Sequence, residues 1–262
     1  GLHVDCCLGG FVCNFIEEYM NKNILAVDGV TSLSVDPHKN GLTVKGVSLL
    51  ICKKINNEHN LMYHSMYAIE NWNGGLYGTV KEEGSQSVVA MFTAFITILF
   101  HGKKTYRYIA IKIYNTTKEI ISCINVDKNY VDVITTNSLN VVAFKLNPQH
   151  YKHGSTYKLA DLMKKKGFVL NVLTNDTVHF CVTARFVSYP KNMECFKNAF
   201  NDCLNEVQTM NINNIEFDGS AKLYGSIDTV IGFNTQNVSW TTRLMNWMFG
   251  SMVIRDIIKN HF

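Results

Sequence analysis

Short apolar runs bounded by turn residues alternate along the chain with longer stretches in which apolar positions recur every three or four residues. Leu2 to Val4 reads as the end of a strand with Asp5 at its tip, followed by Gly9-Gly10 and a short helical stretch from Phe11 to Met20. Thr31 to Val35 and Gly46 to Lys53 read as two further strands. The second is almost continuously apolar (Val47, Leu49, Leu50, Ile51), which predicts a strand covered on both faces of an α/β sheet. Asn56 to Asn73 is polar and aromatic and reads as a loop, and Gly74, Gly75 and Gly78 suit a close backbone approach.

Ser87 to Phe100 and Lys103 to Asn125 read as consecutive helices, the second carrying Tyr106, Ile109, Ile113, Thr116, Ile120 and Cys123 on one stripe. Beyond them the pattern predicts a strand pair (Val131 to Thr135, Asn140 to Leu146) and a helix (Tyr157 to Lys166) stopped by Gly167. A second strand pair (Phe168 to Leu173, Val178 to Thr183) and a long helix (Tyr189 to Met210) follow. That order is an α+β layer. Residues 1–118 are expected to be the C-terminal part of one domain and 119–262 a second, α+β domain.

Composition narrows the classes. A 262-residue chain that is 47% hydrophobic has ample material for a core and is globular. Its net charge of +4 is small and diffuse, which argues against a nucleic-acid surface. The basic run Lys164 to Lys166 is a solvated helix end before Gly167. The 8 cysteines show no Cys-x-x-Cys spacing and the 9 histidines no ligand cluster, so reduced thiols, a cytoplasmic setting and no metal are expected. Val88 to Phe100 is free of charge but shorter than the ~20 residues a bilayer span needs, so it is expected to be a buried helix.

The candidate chemistry lies on the turn after Val35, Asp36-Pro37-His38-Lys39. A lysine fixed on a short turn can condense with an aldehyde, and pyridoxal phosphate offers one. That cofactor also needs a carboxylate to keep its pyridine nitrogen protonated. Asp5 is placed to serve, because the interval between it and Lys39 holds a helix and a strand and brings two adjacent strand ends together.

Six stretches carry a resemblance: HVDCCLGGF, VTSLSVDPHKNGLTVKGVSLL, NWNGGLYGTVKEEGS, LMKKKGFVLNVL, VHFCVT and LYGSIDTV. Together they resemble the sphingosine-1-phosphate lyase family of the group II pyridoxal-phosphate decarboxylase superfamily. Asp36-Pro37-His38-Lys39 is shared with amino-acid decarboxylases, whereas Trp72 to Tyr77 and Lys45-Gly46 point to the lyase branch. The resemblance implies part of a fold type I large domain, mostly parallel in its sheet, followed by a small α+β domain. It implies a Schiff-base lyase of sphingolipid metabolism that cleaves phosphorylated sphingoid bases to a long-chain aldehyde and phosphoethanolamine.

By the same resemblance Lys39 holds the cofactor, His38 lies against its phosphate, Asp5 pairs with its ring nitrogen, and Gly84-Ser85 reaches a phosphate across a homodimer. Lys45 would meet the substrate phosphate and Tyr77 supply an active-site hydroxyl. Asn40 stands where the family has Tyr, Thr43-Val44 where it has Ala-Pro, and Gln86 where it has Arg, which removes a fork of donors. Gly1 lies directly against a motif internal to the family. The chain is therefore expected to be a C-terminal part, with an N-terminal segment or chain supplying the rest of the cofactor site and any anchor to the endoplasmic reticulum.

Overall fold

The computed structural model describes residues 1–20, 22–53, 88–125, 130–135 and 138–210. They form two sheets, with helices packed against them. In the first sheet, β1 (Leu2–Asp5), β2 (Val30–Val35) and β3 (Leu49–Cys52) lie in the order β1-β2-β3. β1 and β2 run parallel with Asp5 opposite Ser34, and β3 returns antiparallel. The expected helix from Phe11 to Met20 is two short ones, α1 (Gly10–Cys13) and α2 (Glu17–Met20).

One prediction for this sheet fails. Leu49, Leu50 and Ile51 of β3 are exposed, at 44%, 61% and 41%, so the strand is not covered on both faces. Apolar character shows that a strand suits burial; the cover has to come from another element, and no described element lies over these side chains.

A single helix, α3 (Val88–Ile124), spans both predicted helices and is broken where the sequence placed the boundary, at Gly102 (φ 62°, ψ 170°). Its two halves differ. After the break, Tyr106, Ala110, Ile113, Thr117, Ile120 and Ile124 are buried, so the inward stripe keeps Tyr106, Ile113 and Ile120 and takes Ala110, Thr117 and Ile124 in place of Ile109, Thr116 and Cys123. Before it only Ala94 is buried, while Phe92, Phe95, Leu99 and Phe100 stand exposed. The expectation that Val88 to Phe100 is buried is therefore corrected. By length and composition α3 passes the test for a membrane-crossing helix, although its backbone is broken at Gly102.

The second sheet holds β4 (Val131–Val133), β5 (Val141–Leu146), β6 (Asn171–Leu173) and β7 (Thr177–Cys181), all antiparallel in the order β4-β5-β7-β6. The β6–β7 hairpin pairs Leu173 with Thr177 and turns through Thr174, Asn175 and Asp176, the last two with positive φ, which Asn and Asp tolerate. Asp176 then caps α4 (Ser155–Lys165), its Oδ2 accepting from Gly154 N at 2.9 Å. The expected last helix is α6 (Asn192–Thr209), and a short α5 (Ala184–Ser188) that the pattern did not predict precedes it, with Pro190 between them.

Phe144, Phe196, Phe200, Leu159 and Met163 form the centre of the core, each at most 1% exposed. Phe196 and Phe200 stack at 6.2 Å and Phe144 meets Phe200 edge-on at 5.7 Å. The same cluster extends through Ile113 and Ile120 to Val12 and Ile16 beside the first sheet. That continuity fixes the site turn against the well-packed half.

Candidate active site

The turn that follows β2 is built so that Lys39 has little freedom. Lys39 N donates to Asp36 O at 3.0 Å and Thr43 N to Pro37 O at 3.2 Å. A Cβ on Gly41 would stand 2.5 Å from Pro37 O and 2.9 Å from the Phe11 ring, so only glycine fits. Leu42 follows at φ 59°, a strained value for a leucine. From α3, the buried Tyr106 hydroxyl donates to Gly41 O at 2.8 Å. Gly10 lets α1 approach β2, since a Cβ there would meet both Val35 methyls at 2.9 Å.

Asn40, one of the departures from the family pattern, is buried and donates from Nδ2 to Leu8 O at 2.6 Å. It ties the lysine turn to the loop after β1. The residue that replaces the family's tyrosine has a structural role of its own.

Asp5 and Lys39 converge on one residue, Cys7. Cys7 N donates to Asp5 Oδ1 at 2.9 Å, and Lys39 Nζ donates to Cys7 Sγ at 2.9 Å. The Cys7 hydrogen bonds, helped by Ser34 Oγ at 3.2 Å, hold the Asp5 carboxyl below the usual carboxylate range despite some desolvation. Asp5 is therefore an exposed, firmly ionised carboxylate.

Lys39 is pushed above the ordinary lysine range by Cys7 and then by Asp36, whose Oδ2 lies 3.1 Å from Nζ. Asp36 itself is lowered, chiefly by Ser48 Oγ donating to its Oδ1 at 2.5 Å and then by Lys39. The ammonium is thus held between a thiol and a carboxylate, with its side chain 34% exposed.

His38 lies on the same turn and approaches the same Asp36 oxygen as Lys39. Its Nδ1–H donates to Val47 O at 2.5 Å, and Nε2 lies 3.8 Å from Asp36 Oδ2. Lys45 is exposed on the next turn, beside Gly46 at φ 99°. Tyr77, Gly84, Ser85 and Gln86 lie outside the described residues, so the structure neither joins them to the site nor separates them from it.

Several contributors escaped the sequence reading. Cys7 was unremarkable as half of a Cys6-Cys7 pair, although a residue two past a strand-tip carboxylate is well placed to cap it. His3 and Ser34 extend the set. His3 Nε2 lies 3.3 Å from Ser34 Oγ and Nδ1 2.8 Å from Ser32 Oγ, a consequence of the β1–β2 register. Tyr106 and Ser48 are joined to the site by tertiary contact alone.

The arrangement suits pyridoxal phosphate. An amine for its aldehyde and an ionised carboxylate for its ring nitrogen stand at the ends of adjacent parallel strands, both partly open to solvent. Among the described residues no group of three or more His, Cys, Asp or Glu side chains is placed to hold a metal.

The fold and this pair of groups define the class, that of the fold type I pyridoxal-phosphate enzymes. A sphingosine-1-phosphate lyase from Burkholderia pseudomallei K96243 superposes with a TM-score of 0.67 at 25% identity, over 79% of this chain and 46% of that one. A Lactobacillus brevis glutamate decarboxylase shares the fold, with a TM-score of 0.59 at 19% identity over 80% of this chain and 48% of that one.

Within the class this chain is a relative of the sphingosine-1-phosphate lyases. It is 32% identical over 237 residues to the Dictyostelium discoideum sphingosine-1-phosphate lyase, covering 88% of this chain and 41% of the relative. It is 33% identical over 189 residues to a probable sphingosine-1-phosphate lyase of Legionella pneumophila, covering 69% of this chain and 30% of the relative. The chain thus spans less than half the length of these curated relatives. No family model matches it.

Proposed function

We propose that this chain carries the lysine and carboxylate of a pyridoxal-phosphate site in a carbon–carbon lyase acting on phosphorylated sphingoid bases. The observation that carries the reading is the convergence of Asp5 and Lys39 on Cys7, at the tips of two adjacent parallel strands. Pyridoxal phosphate, when bound, supplies an aldehyde for an amine and a protonated ring that accepts an electron pair.

The chain's own residues would serve this chemistry as follows. Lys39 Nζ, once it has given its proton to solvent, is the amine for the aldehyde, and Asp36 at 3.1 Å orients it. Asp5, kept anionic by Cys7 and Ser34, is the partner for the ring nitrogen's proton. His38, its ring braced by Val47 O, is by the resemblance the residue that lies against the cofactor phosphate. Lys45 offers a mobile point charge to the substrate phosphate.

Breaking the carbon–carbon bond in retro-aldol fashion requires a base for the substrate hydroxyl. Lys39 Nζ is the base that the described site offers, and Tyr77 is a second candidate by resemblance. The products are a long-chain aldehyde and phosphoethanolamine. Gly84 and Ser85 belong to the phosphate contacts by the same resemblance, in a homodimer whose remaining site groups come from sequence beyond this chain.

Amino-acid decarboxylation is the competing reaction for a lysine turn of this kind. Similarity over most of this chain to proteins named lyases favours the lyase. The test is to add pyridoxal phosphate and follow the near-visible absorbance that the cofactor gains on joining an amine. The wild-type chain should show it and Lys39→Ala should not. An identical spectrum from both would defeat the proposal, and product analysis with a sphingoid phosphate against an amino acid then separates the two reactions.

A further inference from the structure

The Lys39–Cys7 contact brings together two nucleophiles, and the proposed lyase chemistry uses only one of them. Cys7 Sγ stands 2.9 Å from Lys39 Nζ, and each is held by its own backbone, Cys7 through its N–H on Asp5 and Lys39 through its N–H on Asp36 O. A Cys7 sulfur oxidised in this position already has a nitrogen nucleophile in contact with it. Cys7 is only half-buried and the Lys39 side chain is 34% exposed, so a small oxidant reaches both.

Competing thiols are less favoured. Cys6 lines, with Cys13, a cavity of about 350 Å³ that also involves Leu33, Val35 and Ile51 and excludes Cys7. Burial pushes the Cys6 thiol up, which keeps it protonated and sluggish. Cys181 feels the Lys39 charge, but its burial outweighs that influence and raises it as well.

We propose that Cys7 and Lys39 form an oxidant-driven modification site, at which peroxide converts the Cys7 thiol to a sulfenic acid and the Lys39 amine then closes a sulfur–nitrogen bond. In the first step sulfur gives up an electron pair and gains an oxygen, while the peroxide is reduced to water. In the second the Lys39 ammonium releases a proton to solvent, the freed nitrogen lone pair attacks sulfur, the sulfur–oxygen bond breaks, and the oxygen leaves as hydroxide that takes a second nitrogen proton to become water. The protein loses two hydrogens in all. A free thiol reverses the link by attacking sulfur and releasing the amine. Because the link consumes the Lys39 amine, it shuts the chain to pyridoxal phosphate; that consequence rests on the proposed function, whereas the link itself does not.

The full chain, treated with hydrogen peroxide, digested without reductant and sequenced by mass spectrometry, tests this. The peptide containing Cys7 should be found joined to one uncleaved at Lys39, lighter by two hydrogens than their sum, and dithiothreitol should separate them. Cys7→Ser and Lys39→Arg should each abolish the joined species. Finding wild-type Cys7 only as sulfinic or sulfonic acid, or in a disulfide with Cys6 or Cys181, overturns the site. Prior loading with pyridoxal phosphate and borohydride reduction should suppress the link. A reduced chain that cross-links under peroxide yet never takes up the cofactor would refute the lyase reading and leave the modification site standing.

Discussion

The two sheets use similar residues and meet opposite fates. β5 reads Val-Val-Ala-Phe-Lys-Leu and buries four of its six positions, and β7 buries four of five. β3 reads Leu-Leu-Ile-Cys and buries none, and β1 is nearly as open. The difference lies in what covers them. α4 and α6 close over the second sheet with Leu159, Met163, Phe196 and Phe200, while the first sheet keeps its site-bearing strand ends exposed. A rigid, filled layer thus supports an open one, and α3 after Gly102 couples the two by packing on the core and reaching Gly41 through Tyr106.

Removing the chemistry of the open layer should have the largest consequence. Lys39→Ala is expected to abolish the cofactor absorbance while leaving the urea unfolding midpoint nearly unchanged, because its partly exposed ion pair with Asp36 adds at most about 1 kcal/mol. A collapse of stability in this variant would mean that the turn is a structural element first.

Emptying the filled layer should be the largest change in stability. Phe144→Ala deletes a fully buried ring and should cost about 3–5 kcal/mol. Leu50→Thr on β3 should stay within about 0.5 kcal/mol in the isolated chain, since its side chain is already 61% exposed. Comparable losses at the two positions, measured by chemical denaturation, would show that β3 is covered in solution and erase the contrast.

Tyr106→Phe tests the coupling between the layers. It removes the donor to the Gly41 carbonyl and should cost about 1 kcal/mol, with a measurable fall in the rate at which Lys39 takes up pyridoxal phosphate. Lost stability with unaltered uptake would mean that the packed layer holds the turn without tuning it.

The smallest effect is one of pH. Burial lowers His179 on β7 below its ordinary value, so the folded chain keeps it neutral. Below a pH of about 6.5 the unfolded chain takes up a proton that the folded one refuses, and stability should fall as the pH drops, by at most about 1.4 kcal/mol per unit from this group. His179→Gln should flatten that slope between about pH 7 and pH 5. An unchanged slope would assign the acid sensitivity to other groups.

Much of this was legible in the sequence. The strand tips at Asp5 and Val35, the break at Gly102 and the helix stop at Gly167 (φ 92°) all rest on local chemistry that a short window reveals. The pairing of Asp5 with Lys39 was readable too, since a strand–helix–strand interval leaves few ways to arrange its ends. The misreadings concern cover. Val88 to Phe100 and Leu49 to Ile51 were expected to be buried because they are apolar, and burial depends on a neighbour that no local window contains. On α3 half of the expected stripe shifted by one position for a related reason, since the rotation of a helix about its axis is set by the neighbours that it packs against.

By itself the sequence determined most of the strands and helices, where the chain turns, and that Asp5 and the Lys39 turn lie at neighbouring strand ends, because propensity, turn chemistry and periodicity act over a few residues. Only the tertiary structure decided that Cys7 stands between Asp5 and Lys39, that Asn40 and Tyr106 hold the lysine turn, and that His38 faces Val47. Apart from the local Cys7–Asp5 bond, those contacts join residues 9 to 65 positions apart across distances of about 3 Å, and such proximity exists only once the chain has packed.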